Sequence, residues 1–492
     1  MSRVLEALAR HAAETPAAIA LSDTARTWTY AELAAAVEGA ALQLARMVAR
    51  IRPGAPVAVL LDNSPAWVVL DLALVRLGVP SLPIPAFFTP AQRSHVLTDA
   101  GAGLLVAPGE DDGWIDVAGI RLGVALLTTA PARLPAGLPA GTAKITYTSG
   151  STGQPKGVCL SRDQMEATAA SLVEVIGADY AGKHLPLLPL SILLENVAGL
   201  YTTLLAGGRY HVLPAASLGL DNPFRPDLAR LAAMIAGEQA TSLILVPELL
   251  RALLMVMSFA GARFPDLSLV AVGGAKVSPR LLDQAASLGL PVYEGYGLSE
   301  CASVVALNTP GAHRAGSVGK ALPHLVVTLS ADGEILVGPR PFLGYAGGAV
   351  NGGVVATGDL GARDADGFLS IAGRRGNTII NAYGRNIAPE WVESELLAQP
   401  EIRQAIVFGE AQPELGALIV PLMPDLDVAT LVRAVERANA NLPAYARIAR
   451  WQVRPPLDPE AGELTGNGRP RRAAILANHH PFIDAIEQET RQ

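Results

Sequence analysis

Residues 145 to 157 read Ile145-Thr146-Tyr147-Thr148-Ser149-Gly150-Ser151-Thr152-Gly153-Gln154-Pro155-Lys156-Gly157. Ile, Thr and Tyr favour a pleated strand. The Ser, Thr and Gly that follow have the chemistry of a loop. The hydroxyls of Thr148, Ser149, Ser151 and Thr152, the backbone N–H groups near Gly153 and the Lys156 ammonium can all turn toward one anion. Gly150, Gly153 and Gly157 let the backbone come close to a ligand. The chemistry predicted is the gripping of a polyphosphate. The order is not that of a Walker loop, which needs Gly-Lys followed by Ser or Thr, because Gly157 follows Lys156. The competing reading is a flexible surface loop.

A second group is Val292-Tyr293-Glu294-Gly295-Tyr296-Gly297-Leu298-Ser299-Glu300. A strand here ends in a turn framed by Gly295 and Gly297. The turn presents an aromatic face at Tyr296 for a purine, a hydroxyl at Ser299 for a phosphate and a carboxylate at Glu300. Such a carboxylate can hold Mg²⁺ with phosphate oxygens completing the shell. Otherwise this is a tight turn with a packed tyrosine. A third group is Ala356-Thr357-Gly358-Asp359-Leu360, then Asp366-Gly367-Phe368-Leu369 and Ile371-Ala372-Gly373-Arg374-Arg375. An isolated Asp after Gly is usually a turn residue, although two acceptor oxygens suit a cis-diol.

In order and spacing, these groups resemble the motifs of the adenylate-forming superfamily: acyl-CoA synthetases, luciferases and peptide-synthetase adenylation domains. The resemblance spans the chain from its N-terminal helix to the region near Arg472. It implies that Asp359 accepts both ribose hydroxyls of ATP and that Arg374 contacts ribose or phosphate. It also implies that Gly273-Gly274-Ala275 lines the adenine and acyl site. Ser299 stands where the family usually has Thr and keeps the hydroxyl. A finer resemblance is to long-chain acyl-CoA synthetases. Leu188-Pro189-Leu190-Ser191-Ile192-Leu193-Leu194-Glu195-Asn196 matches their acyl-channel segment, with Ile192 in place of a histidine; a buried apolar helix is the alternative. Asn381 to Glu390 resembles the subgroup's loop that lines the thiol tunnel after the small domain rotates, with Gly384 where a side chain would obstruct. Leu464 to Arg472 resembles the C-terminal loop whose lysine meets the substrate carboxylate, and Arg469 holds that position. Arg keeps the charge but replaces a compact ammonium with a planar fork.

The implied reaction is ATP- and Mg²⁺-dependent activation of a carboxylic acid, a fatty acid by the finer resemblance, as acyl-AMP. Lys156, Glu300 and Arg469 are its catalytic residues. Transfer to a thiol follows, with CoA as the expected acceptor. A carrier protein or another nucleophile is the rival acceptor. A non-catalytic nucleotide-binding homologue is a further rival, favoured by Arg469 and Ile192 and opposed by Lys156, Glu300 and Asp359.

The elements that must position these groups are strands and helices in alternation. Helical spacing covers residues 3–13, a short strand Thr27 to Tyr30 and an amphipathic helix Ala31 to Val48. An apolar strand, Val57 to Leu61, precedes a helix started by Asn63-Ser64-Pro65 and stopped by Gly78-Val79-Pro80. Further strands are expected at Leu243 to Val246 and Leu267 to Val272, and a surface linker at 129–141. This rhythm predicts an α/β class. We expect a large N-terminal domain, 1–373, with several subdomains and mainly parallel sheets. A small mobile α+β domain, 374–492, should follow a hinge at 373–377, with Gly376 or Asn377 at the pivot. A chain of 492 residues exceeds one ordinary core.

Composition narrows the partners. A net charge of −7 gives no global basic field for nucleic acid, and 5% aromatic content argues against base stacking. The N-terminus has no apolar signal core and no apolar run is long enough for a membrane span, so we expect a cytoplasmic protein. Cys159 and Cys301 are expected as buried free thiols. His184 and His211 read as satisfied structural residues, and His479-His480 as exposed.

Overall fold

The computed structural model describes residues 2–109, 113–127, 137–148, 155–177, 180–222, 226–348, 352–459, 461–465, 470–480 and 483. The expected linker at 129–141 is described only from residue 137.

Local chemistry starts and stops the helices as the sequence suggests. Tyr30–Val48 begins with a capping box between Thr29 and Glu32. Pro65–Leu77 begins at Ser64, whose hydroxyl accepts from the Trp67 N–H, and ends at Gly78 with φ +66°. Its residues 65–74 are all buried, so this helix lies inside the protein and not on its surface.

Two large sheets carry the N-terminal domain. In the first, the parallel strands Val292–Tyr296, Leu269–Val272, Ser242–Leu245, Lys183–His184, Arg209–His211 and Ile19–Ser22 lie side by side. Antiparallel strands Ala306–Leu307 and Thr27–Thr29 flank this row. In the second, Lys144–Thr148, Ser81–Pro83, Val57–Val59 and Leu104–Ala107 run parallel, with antiparallel strands on both sides. A third sheet of four strands, Val326–Leu329, Glu334–Gly338, Val355–Arg363 and Leu369–Arg374, is wholly antiparallel. The sheets are therefore mixed, with the parallel strands at the centre of the two large ones. Parallel neighbours need long crossovers, whereas Ile19–Ser22 and Thr27–Thr29 follow one another through a short connection that only antiparallel pairing can satisfy.

The smaller C-terminal part follows a 3₁₀ turn, Arg375–Asn377. Strands Ile402–Phe408, Leu415–Pro421 and Ile448–Val453 pack there with helices Pro389–Leu397 and Val428–Asn439 around their own core.

One buried polar cluster braces the strand that leads to the anion loop. Lys144 is 2% exposed, and its Nζ donates to Asp71 Oδ1 at 2.8 Å and to Asn196 Oδ1. The Tyr201 hydroxyl donates to the other oxygen of Asp71 at 2.7 Å. A buried ion pair is tolerated when its remaining lone pairs are satisfied. Here that ties Lys144–Thr148, the helix Pro65–Leu77 and the segment Leu194–Tyr201 to one point.

Cys159 and Cys301 are both buried and free. Burial raises both thiols, Cys159 to about 11, so neither is a thiolate at neutral pH. His479 is not exposed as expected. It is half-buried, with Nε2 2.8 Å from Glu463 Oε1, because Glu463 gathers both His479 and Arg454. Among the described residues, no helix is long and apolar enough to cross a membrane.

Candidate active site

Strands Lys144–Thr148 and Lys156–Leu160 pair antiparallel, with Thr148 opposite Lys156. The strands on either side of the expected anion loop are thus paired, with a hydroxyl and an ammonium opposite each other. Ser149, Ser151, Thr152 and Gly153 lie outside the described residues. Gly157 has a packing role: a Cβ there would stand 2.8 Å from the Tyr147 ring. At Gly157 the close approach is to the Tyr147 ring.

A neighbour absent from the sequence reading joins the two catalytic candidates. Strand Gly344–Tyr345 pairs with Lys156–Leu160. The Tyr345 hydroxyl donates to Glu300 Oε1 at 3.0 Å, and Lys156 Nζ lies 5.9 Å from the Tyr345 ring centroid. Burial, then the Glu300 carboxylate, push the Tyr345 hydroxyl far above its ordinary range, so it remains a donor. Glu300 and Ser299 sit on a single 3₁₀ turn, Ser299–Cys301. Gly297, which precedes it, passes so close to the Ser303 carbonyl that a Cβ would stand 1.7 Å from that oxygen. No other residue fits there.

The third group is set by strand register. Asp359 pairs directly with Arg374 across strands Val355–Arg363 and Leu369–Arg374. Asp359 Oδ1 accepts from Arg374 Nε at 3.0 Å, and Oδ2 accepts from the Tyr296 hydroxyl at 2.7 Å. Two donors leave about two of the four lone-pair positions of the carboxylate free. Asp359 is 9% exposed and lines the cleft. Burial is the larger reason, and Asp359 the next, that Tyr296 stays protonated.

Two charged residues that sequence reasoning passed over share this wall. Glu294 and Tyr296 are two apart on one strand and so face the same side. Lys276 follows Gly273-Gly274-Ala275 and donates from Nζ to the Ile371 carbonyl at 2.6 Å. Burial pushes Glu294 up to about 7, although Lys276 and the Val277 N–H pull it down. The folded protein thus keeps a proton on Glu294 between about pH 4.5 and 7 that the unfolded chain has released. Its contribution to stability falls as pH rises through that window and is lowest above pH 7. Glu294→Gln should therefore leave the melting temperature near pH 4.5 almost unchanged. By pH 8 it should raise stability by an amount on the order of 3 kcal/mol. Thermal melts of both proteins across pH check this, and a difference independent of pH would show that Glu294 is not the titrating group.

One cleft of about 1520 Å³ is lined by Thr148, Lys156, Gly273, Gly274, Ala275, Tyr296, Gly297, Ser299, Glu300, Asp359, Arg374 and Ile192. Apolar side chains extend it, among them Leu172, Ile176, Leu194 and Ala198. Ile192 lies in a turn, not a helix; a π-helix, Leu194–Tyr201, starts just after it. Asn63 pins that turn, donating to the Leu188 carbonyl at 2.9 Å and accepting from the Leu190 N–H at 2.7 Å. His184 has partners on both ring nitrogens, Ser242 Oγ and Glu195 Oε1, each at 2.9 Å. His211 shares a 2.7 Å hydrogen bond with Ser22, and burial lowers it to about 4.

Gly384 is not brought to the cleft. It sits at φ +69° in an exposed turn between strands Ile379–Ile380 and Asn386–Ile387, where a Cβ would meet nothing within 4 Å. Arg469 lies outside the described residues. Tyr345, Asn63, Lys276 and Glu294 had no motif to mark them. Only the strand alternation around Tyr296 could have pointed to Glu294.

The donor set suits Mg²⁺. This ion is usually bound by one or two carboxylates with substrate phosphates. Tyr345 uses only part of the acceptor capacity of Glu300. Among the described residues, no group of three or more His, Cys, Asp or Glu could hold a metal by itself.

Residues 8–340 match the family described as AMP-binding enzyme, and residues 376–491 its C-terminal domain. The chain is 27% identical to the long-chain-fatty-acid–CoA ligase FadD15 of Mycobacterium bovis, over 93% of this chain and 92% of that protein. It is 32% identical to the 2-succinylbenzoate–CoA ligase of Geobacillus kaustophilus, over 89% and 90%. The anthranilate CoA ligase AuaEII in complex with anthranoyl-AMP superposes with a TM-score of 0.79 at 20% identity, covering 97% of both chains. The o-succinylbenzoate CoA synthetase of Bacillus subtilis, in complex with ATP and magnesium, gives 0.74 at 25% identity, covering 95% and 98%. The chain belongs to the AMP-binding enzymes, within the adenylate-forming superfamily that includes the AMP-forming CoA ligases.

Proposed function

We propose that the protein activates a fatty acid with ATP and transfers the acyl group to CoA. In the first half-reaction the acid's carboxylate attacks the α-phosphorus and pyrophosphate leaves. In the second, the CoA thiol attacks the acyl carbon and AMP leaves. The observation that carries this reading is the convergence of Asp359, Tyr296 and Arg374 with Lys156, Glu300 and Tyr345 on one cleft that continues between apolar side chains. Asp359 takes the ribose hydroxyls, and the ring of Tyr296 takes the base. Lys156, Thr148 and the loop with Ser149, Ser151, Thr152 and Gly153 hold the phosphates. Mg²⁺ bound at Glu300 supplies charge neutralisation for the phosphate oxygens. Arg469 meets the carboxylate during adenylation. Such chemistry is mostly positioning and charge stabilisation. The small domain, 374–492, turns about 373–377 between the two steps, bringing Gly384 to the thiol path; glycine at such a hinge absorbs large dihedral changes.

The acid is assigned from the apolar extension and from Ile192. Each buried methylene contributes about 0.8 kcal/mol, which is roughly fourfold in kcat/KM. ATP–pyrophosphate exchange with a series of straight-chain acids should therefore rise steeply with length until the channel is filled. If short polar acids or amino acids give the fastest exchange, the fatty-acid assignment is wrong.

A further inference from the structure

Three side chains of the large domain meet one helix of the small domain. At the C-terminal end of Pro389–Leu397, Arg251 donates from Nη1 to the carbonyls of Leu397 at 2.9 Å and Ile402 at 3.0 Å. Its Nη2 donates to the Arg403 carbonyl at 3.2 Å. The last carbonyls of a helix lack intrahelical partners and carry its negative end, so a cation belongs there. In the last turn of the helix, Ser278 Oγ donates to Glu395 Oε1 at 3.3 Å. At the N-terminal end, Glu390 faces the Lys276 ammonium, which also holds the Ile371 carbonyl just before the hinge. Asn377, inside the hinge, donates to Glu390 Oε1 at 2.5 Å. In the orientation these contacts hold, the Gly384 turn stays exposed: Tyr383 beside it is 73% exposed and Ile380 48%.

Arg251 is the strongest of these contacts. It comes from the helix Pro247–Phe259 of the large domain and is half-buried. A guanidinium stays charged at any ordinary pH, so giving up its three carbonyl partners leaves a half-buried charge poorly satisfied. All three are backbone groups, so the grip does not depend on which side chains the small domain carries.

We propose that Arg251 is a positioning residue for the first half-reaction. It clamps helix Pro389–Leu397 in the orientation that keeps the Gly384 turn out of the cleft, and this clamp opens before thiol transfer. The proposal rests on the two-step reading above. Arg251→Met keeps most of the apolar stem and removes the donors. It should lower acid-dependent ATP–pyrophosphate exchange about tenfold or more while leaving thiolysis of supplied acyl-adenylate equal or faster. Arg251→Lys should recover part of the loss. Trypsin cleavage at the exposed hinge residues Arg374 and Arg375 should be faster in Arg251→Met than in the parent protein, at equal melting temperature of the large domain. Equal loss in both half-reactions, or hinge cleavage no faster than in the parent, would overturn the clamp. If the parent protein shows no acid-dependent exchange, the functional reading fails instead, and the trypsin rates alone decide whether the clamp exists.

Discussion

Asp359→Ala should weaken AMP and ATP binding by roughly tenfold to a hundredfold, a loss of about 1–3 kcal/mol. The substitution removes the acceptor of the ribose hydroxyls. It also leaves the Tyr296 hydroxyl and the Arg374 guanidinium without the carboxylate that both now engage. Asp359→Asn is the informative companion. It keeps one acceptor oxygen but loses the charge that pairs with Arg374, so its affinity should fall between parent and Asp359→Ala. Calorimetry with AMP measures both, and an affinity unchanged in Asp359→Ala would refute the ribose assignment. Because Asp359 is one position in an antiparallel pair that runs on to Arg363 opposite Leu369, the strand itself should survive the change. A large loss of melting temperature would point to a structural role in its place.

The second large effect is expected at Arg469. Arg469→Ala should cripple acyl-adenylate formation, by about a hundredfold or more if it removes a cation preorganised for the charge of that transition state. It should spare the reaction of supplied acyl-adenylate with a thiol, because loss in one half-reaction marks an interaction made only in that transition state. Arg469→Lys tests the fork itself. If a single ammonium suffices, Lys preserves or raises adenylation; if the site is shaped around the planar guanidinium, Lys lowers it. Retention of both half-reactions in Arg469→Ala would show a solvated basic turn and leave adenylation to Lys156 and the metal. Arg469 and Arg251 differ in how they act. In the proposed reaction the first meets the substrate carboxylate and the second acts through the small domain, so only Arg251→Met should change hinge cleavage.

What was legible in the sequence, and what was not, follows from where the physics is local. Ser64-Pro65 and Gly78 announce a helix because capping and left-handed termination are decided within a few residues. The strand–loop–lysine run, the turn at Tyr296 to Glu300 and the Asp359 strand were legible for the same reason. Tyr345 was not. Its partner Glu300 is 45 residues away, and only the pairing of Gly344–Tyr345 with Lys156–Leu160 brings them together. Lys144 and Asp71 were invisible too, since a buried ion pair has the same sequence signature as two exposed charges. Gly157 was legible as a need for space, and the Tyr147 ring fills that space. Which outer strands pair antiparallel was not legible, because parallel and antiparallel strands of four residues have the same composition.

The central claim is AMP-forming thioester ligation in two separable steps. The most direct test incubates the protein with ATP, Mg²⁺ and a long-chain fatty acid, first without and then with CoA. Pyrophosphate exchange dependent on the acid should occur without CoA, and adding CoA should yield AMP and acyl-CoA in equal amounts. No acid-dependent exchange, or the appearance of ADP and inorganic phosphate in place of AMP and pyrophosphate, would contradict it.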